Sequence, residues 1–161
     1  MSSSSSSPSF LSSTQTKRIE KEKVRFQSSV IEGLTIAVCS PELWHVKIEG
    51  ECLKRSIYVG ESFSLSVRFT KDYPFDSPEV MFIGESPCHE HIYGNGHICL
   101  NILGSDWSPA LTVSSIVLSV ISMLSSATVK IRPQDNDRYV RSHPPGSSPK
   151  NTIFVYHDDK V

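Results

Sequence analysis

A chain of 161 residues with 38% hydrophobic and 20% charged content has enough apolar material for one core and, at that length, for one domain. Its formal net charge of −1 argues against a protein held to nucleic acid by phosphate contacts. No apolar run approaches the ~20 residues of a membrane span. The four cysteines, Cys39, Cys52, Cys88 and Cys99, follow no charged and apolar leader, so a reduced intracellular setting, cytoplasmic or nuclear, is expected.

Residues 1–14 are dominated by serine and are expected to form a disordered tail, because they cannot offset their ordering entropy. From Thr16 to about Gln27 the composition predicts a helix, with Thr16 as cap and Glu20 near the positive end of the dipole. Its apolar stripe is thin, Ile19 and Phe26. Helical geometry gathers Lys17, Arg18 and Lys21 on one side, as a solvated face or a docking site.

Strand patterns follow. Leu34–Val38 is a short candidate that ends near Pro41. Trp44, Val46 and Ile48 alternate with His45, Lys47 and Glu49, and Phe63, Leu65, Val67 and Phe69 alternate with Ser62, Ser64, Ser66 and Arg68, so each strand should have one core face and one wet face. Tyr73-Pro74-Phe75-Asp76-Ser77-Pro78 makes a stiff turn before a fourth strand over 80–83. Short connections favour an antiparallel meander. Residues 84–103 have little periodicity, which inside a compact domain marks a functional or disordered segment. Val113, Ile116, Val117, Val120, Ile121 and Leu124 then follow helical spacing, with Thr112 as cap and Leu118 and Met123 widening the apolar face. The expected organisation is a tail over 1–14, a core domain over 15–141 and a flexible tail over 142–161, the last containing the apolar run 153–156.

The stretch His89 to Ala110 carries the chemistry. Cys88, His89, His91, His97 and Cys99 are zinc-competent, but no paired metal spacing such as Cys-x-x-Cys occurs. Cys99 could equally be a small buried residue. The third reading is a nucleophile: a thiolate attacks acyl carbon readily, and the Gly94-Asn95-Gly96 turn lets backbone approach while His89, His91 and Asn101 supply polar groups. The residues alone leave all three open.

Taken together, Tyr73-Pro74-Phe75, the His89-Glu90-His91 triplet, Gly96-His97-Ile98-Cys99-Leu100 and Trp107-Ser108-Pro109-Ala110-Leu111-Thr112 resemble the ubiquitin-conjugating enzymes in order and spacing, over roughly Thr16 to Tyr139. The triplet and the ending Tyr156-His157-Asp158-Asp159-Lys160 resemble the W-type subgroup. The resemblance implies an α+β fold of the ubiquitin-conjugating (UBC) type: an amino-terminal helix, a four-stranded antiparallel meander, a central helix and a shortened carboxyl-terminal helical region. It implies that Cys99 accepts ubiquitin from an activating enzyme as a thioester and yields it to a substrate amine, with no metal, nucleotide or other cofactor on this protein. Lys17, Arg18 and Lys21 match the face that meets the activating enzyme. Phe75, Pro109 and Ala110 match the loops that meet RING or U-box ligases.

Departures from the family pattern are specific. The family triplet is His-Pro-Asn; here His91 takes the third place, as an oxyanion or amine partner, His89 keeps a structural place in the loop, and Glu90 replaces a proline. Asn101 stands where Asp is frequent. The acidic group beyond the central helix falls among Asp135, Asn136 and Asp137. Lys23 occupies a position that is usually apolar, and Phe154-Val155 stand where the subgroup has paired tryptophans. The W-type likeness further implies an α-amino terminus as acceptor in place of lysine. Two alternatives remain: a UBC-fold module that binds ligases or ubiquitin without transfer, and a conjugating enzyme for another ubiquitin-like modifier.

Overall fold

The computed structural model describes residues 8–151. The expectations placed on residues 1–7 and on 152–161, including the Phe154-Val155 pair and the ending at Lys160, lie outside them.

Helix α1 (Ser13–Ser28) begins earlier than the Thr16 cap predicts. Ser12 is the cap: its hydroxyl accepts from the Gln15 amide while the Gln15 side chain accepts from the Ser12 amide, so two otherwise unpaired donors are satisfied. Gln15 Nε2 also donates to the carbonyls of Lys71 and Tyr73, at 2.6 and 2.8 Å. Leu11 packs on the core, so the part of the serine-rich segment next to the helix is an ordered entry to it. Ile19 and Phe26 are buried as their spacing requires, and Glu22 is buried beside them. Lys23 pairs with Glu20 at 2.7 Å.

The meander is as expected: β1 (Leu34–Ser40), β2 (Leu43–Glu49), β3 (Ser62–Arg68) and β4 (Glu79–Ile83) pair antiparallel in sequence order. Trp44, Val46 and Ile48 of β2, Phe63, Leu65 and Val67 of β3, and Val80 and Phe82 of β4 form one apolar face. The wet face is less wet than alternation predicts. Ser66 is buried because it lies between His45 and Met81 in the ladder, and Met81 is itself bridged to His97.

Helix α2 (Val113–Ser126) covers that apolar face with Val113, Ile116, Val117, Val120 and Leu124. Each such side chain contributes ~1.5–3 kcal/mol as an upper bound. Thr112 caps it in a reciprocal pair with Ser115. Met123 joins the core edge, whereas Leu118 is 50% exposed and does not widen the packed face. The carboxyl-terminal helix is short, α3 (Asn136–Ser142).

Beyond α3 the chain does not leave the domain at residue 142. The Ser147 carbonyl meets His97 Nε2 at 2.8 Å, the Ser148 hydroxyl donates to Glu79 at 2.6 Å, and Lys150 Nζ reaches Ser77 and Asp76 at 2.9 and 3.3 Å. Pro149 is buried. The segment 143–150 is therefore a strap against β4 and the loop that follows it. Polar side chains and two histidines hold it, which is why hydropathy alone assigns it to a tail.

Candidate active site

After β4 the chain folds back on itself. Phe82 N donates to Gly96 O at 2.9 Å, Tyr93 N to His97 O at 2.9 Å, and Cys99 N to His91 O at 2.8 Å. Gly96 is required at this crossing. Its φ is +93°, and a Cβ there would lie 2.1 Å from Phe82 O. Ile92 and Ile98 are buried beneath the loop, so the following residue, Cys99, emerges half-buried at its surface.

Burial pushes the Cys99 thiol above its ordinary value, and the charge of Asp135 pushes it the same way. The resting group is a neutral thiol. Asp135 accepts a hydrogen bond from the Tyr93 hydroxyl at 3.0 Å, and Arg138 lies 3.8 Å from its carboxylate. Asn136 Oδ1 accepts from Gly94 N at 2.8 Å. Asp137 is exposed and faces Asn136. Of the two candidate aspartates, Asp135 is the one whose charge acts on the thiol.

His89 is buried, and its Nδ1 accepts from the His91 amide at 3.0 Å. Its pKa is lowered by burial and by His91, against a backbone hydrogen bond with Met123 and the charge of Glu90. His91 is half-exposed. Its Nε2 stands 3.6 Å from Glu90 Oε1, too far for a good hydrogen bond and close enough for charge attraction when the ring is protonated. Asn101 Nδ2 donates to Asp106 at 2.8 Å and holds the turn that follows Cys99.

His97 is fully buried, with Nε2 at Ser147 O and Nδ1 at 2.6 Å from the Tyr139 hydroxyl. The carbonyl only accepts, so Nε2 carries the proton and Nδ1 accepts in the neutral ring. Burial lowers its pKa, with Ser147 and Glu79 opposing and His143 assisting. Tyr139 is stacked between Tyr93 and His143, at 3.9 and 4.1 Å between centroids. Both ring nitrogens of His97 are thus occupied within the protein. Among the described residues no three His, Cys, Asp or Glu groups converge on a point that could hold a metal.

Two further surfaces lie outside this loop. Trp107 Nε1 donates to Pro74 O at 2.9 Å, which joins the Tyr73–Ser77 turn to the loop after Cys99 and presents Phe75, 83% exposed, together with exposed Pro109 and Ala110. On α1, Lys17 and Lys21 are exposed, but Arg18 is not one of a free cluster. Its Nε pairs with Glu22 at 2.9 Å and its Nη2 donates to Leu111 O at 2.8 Å.

Residues 18–146 match the family model described as ubiquitin-conjugating enzyme. The chain belongs to that family. This ubiquitin-conjugating enzyme is 46% identical over 157 residues to a probable ubiquitin-conjugating enzyme E2 W of Dictyostelium discoideum, covering 94% of this chain and 100% of that protein. A probable E2 W-A of Danio rerio is 47% identical over 148 residues, covering 89% and 95% of the two chains. The crystal structure of a ubiquitin-conjugating enzyme E2 from Agrocybe aegerita superposes with a TM-score of 0.79 at 42% identity, over 86% of this chain and 99% of that one. The chain is therefore a W-type conjugating enzyme with the UBC fold, and its general partners are ubiquitin, an activating enzyme and ligases.

Sequence reasoning passed over three groups at the site. Tyr93 lies in a stretch without periodicity and drew no role of its own, yet its hydroxyl binds Asp135. His97 reads as a metal candidate, yet it anchors the strap. Arg132 carried no signal at all, and it donates to three carbonyls of the loop before Cys99.

Proposed function

We propose that this enzyme takes the carboxyl terminus of ubiquitin onto Cys99 Sγ and passes it to the α-amino terminus of a protein substrate. In loading, the Cys99 sulfur attacks the thioester carbonyl on the activating enzyme and the activating enzyme's thiol leaves. In discharge, the amine attacks the new thioester, loses a proton, and Cys99 leaves as thiol. A sulfur of high pKa is the stronger nucleophile once deprotonated, and as a neutral resting thiol it resists oxidation.

The observation that carries the reading is Asp135, a half-exposed carboxylate held by the Tyr93 hydroxyl, whose charge is felt at the Cys99 thiol. Such a carboxylate attracts an incoming ammonium and is the candidate to take its proton. An α-amino group, with a pKa of about 7.7–8.0 against roughly 10.4 for lysine, needs less help from that carboxylate. His91 is assigned to the oxyanion or the amine, so His91→Ala should slow discharge more than loading. Lys17 and Lys21 are assigned to the activating enzyme, and Phe75, Pro109 and Ala110 to the ligase. The four unpaired cysteines fit work in the cytoplasm or nucleus.

The test is incubation with ATP, an activating enzyme and ubiquitin. A reducible adduct should form that Cys99→Ser converts to a reduction-resistant ester; no adduct with ubiquitin, or one only with another modifier, overturns the reading. Peptides with free or acetylated amino termini, with and without lysine, then decide the acceptor. Discharge to lysine alone removes the α-amino assignment.

A further inference from the structure

The segment that carries His89, Glu90 and His91 has little regular backbone pairing of its own, so its carbonyls depend on donors from elsewhere. One side chain supplies most of them. Arg132 Nη1 donates to Pro87 O at 2.7 Å and to Ile92 O at 3.1 Å, and Nη2 donates to Ser86 O at 3.1 Å. Ser86 and Pro87 form one leg of the loop and Ile92 closes the other. The Tyr58 hydroxyl takes the Cys88 carbonyl at 2.6 Å.

We propose that Arg132 is a positioning residue for acyl transfer: its guanidinium bridges the two legs of the loop over residues 86–92 and so fixes His91 relative to Cys99. The chain of contact is short. Ile92, whose carbonyl Arg132 holds, is bridged to Ile98, and Cys99 N donates to the carbonyl of His91 at 2.8 Å. A lysine cannot substitute, since an ammonium is a compact point charge whereas the planar fork meets acceptors on two sides at once. The placement of Arg132 is itself constrained, because Pro133 confines it to extended backbone. Three residues on, Asp135 bears on the thiol and Asn136 receives Gly94 N. The short segment 132–136 thereby clasps the catalytic loop from one side.

The proposal rests on the acyl-transfer reading above, and its test separates the two. Arg132→Lys is compared with Ile48→Val, a core variant expected to lose ~1 kcal/mol, and with Lys54→Ala, which removes an exposed ion pair with Glu51 outside this loop. Amide exchange is measured at Ile92, Tyr93 and Cys99 in the unloaded protein. Single-turnover discharge of the preformed ubiquitin thioester to a short peptide is measured across peptide concentration.

Arg132→Lys should raise exchange at these three amides and lower the saturating discharge rate about tenfold, since charge-assisted hydrogen bonds are lost, with the half-saturating peptide concentration unchanged. The two controls should do neither. Unchanged exchange in Arg132→Lys, or equal slowing by Ile48→Val at a matched loss of Tm, overturns the proposal. If the wild-type protein forms no thioester, the acyl-transfer reading fails, and the exchange data still decide whether Arg132 restrains the loop.

Discussion

Two carboxylates in this enzyme each hold a tyrosine hydroxyl, and their surroundings set them to different work. Glu22 lies inside, 5% exposed on its side chain: Oε2 receives the Tyr73 hydroxyl and Arg18 Nε, and Oε1 receives the Val113 amide at the start of α2. Its charge is compensated on the spot, and it ties α1, the turn before β4 and α2 together. Burial and that same charge push the Tyr73 hydroxyl far above its ordinary pKa, so it stays a donor at any physiological pH. Asp135 is the opposite case. It receives the Tyr93 hydroxyl, its cation Arg138 is exposed at 3.8 Å, and its charge reaches Cys99. A fully paired carboxylate is a structural joint, and one whose field still reaches a nucleophile can take part in its chemistry.

Exchanging one carboxylate at a time should separate those roles. Asp135→Asn keeps the shape and an acceptor for Tyr93, so stability should change by less than about 0.5 kcal/mol. Discharge to an amine should fall ~10²-fold if the carboxylate removes the amine proton. A single-turnover assay on the preformed thioester reads this, and an unchanged rate dismisses the carboxylate's part. Glu22→Ala should do the reverse. Losing a buried acceptor of three donors, one of them a partly exposed Arg, should destabilise by roughly 2–3 kcal/mol, read as a lower midpoint in urea. The discharge rate of the folded fraction should remain within about twofold, since the hydrogen bonds of Glu22 go to Arg18, Tyr73 and Val113 and not to the Cys99 loop. Loss of discharge in step with Asp135→Asn would erase the distinction.

How much of this was legible beforehand follows from where each partner lies. The strands and α2 were readable because burial alternates along a local stretch: Trp44, Val46 and Ile48, or Ile116, Val120 and Leu124, declare their own face. Cys99, with Gly96 before it and Trp107 after it, stands out as a candidate because the reactive residue type and its turns are contiguous. The start of α1 was misjudged because Ser12 and Gln15 form a capping box inside a serine-rich tract whose composition points to disorder. The remaining contacts are non-local. Glu22 needs Tyr73 and Val113, and His97 needs Tyr139 and Ser147. Among the described residues Arg132 donates to backbone carbonyls, which every residue possesses, so no residue type in the sequence marks its target.

The Asp135 side should also differ in its response to pH. The Cys99 pKa is raised in the folded protein by burial and by Asp135, so the stabilisation linked to it is fully present below the ordinary thiol value of about 8.5 and is lost as pH rises through the folded value. Asp135→Asn should shift the alkylation midpoint of Cys99 to lower pH, while Glu22→Gln leaves it in place. Equal midpoints in all three proteins would mean that burial alone sets the thiol. His89 and His97 run the other way. Their pKa values are depressed, so their contribution is present above about 6.5 and is lost as pH falls through the folded values. His97→Gln should flatten the acid limb of a urea-midpoint profile.

The smallest effect is expected where the Glu22 network reaches the surface. Tyr73, held by Glu22, lies 6.1 Å from the Trp107 ring, and Trp107 Nε1 donates to Pro74 O. Trp107→Phe keeps an aromatic ring and removes that one neutral hydrogen bond, which should lower stability by ~1 kcal/mol. The bond joins two loops, so its loss should appear in both: faster amide exchange at Phe75, which donates to Asp72 O, and at Leu111, which donates to Ser108 O. Stimulation by a RING domain that accelerates the wild-type enzyme should weaken, with unstimulated discharge unchanged, because Phe75, Pro109 and Ala110 lose their common frame while Cys99 and Asp135 keep theirs. A change at one loop alone would mean that the two edges of the proposed ligase surface are held independently, and that the Glu22 joint ends at Tyr73.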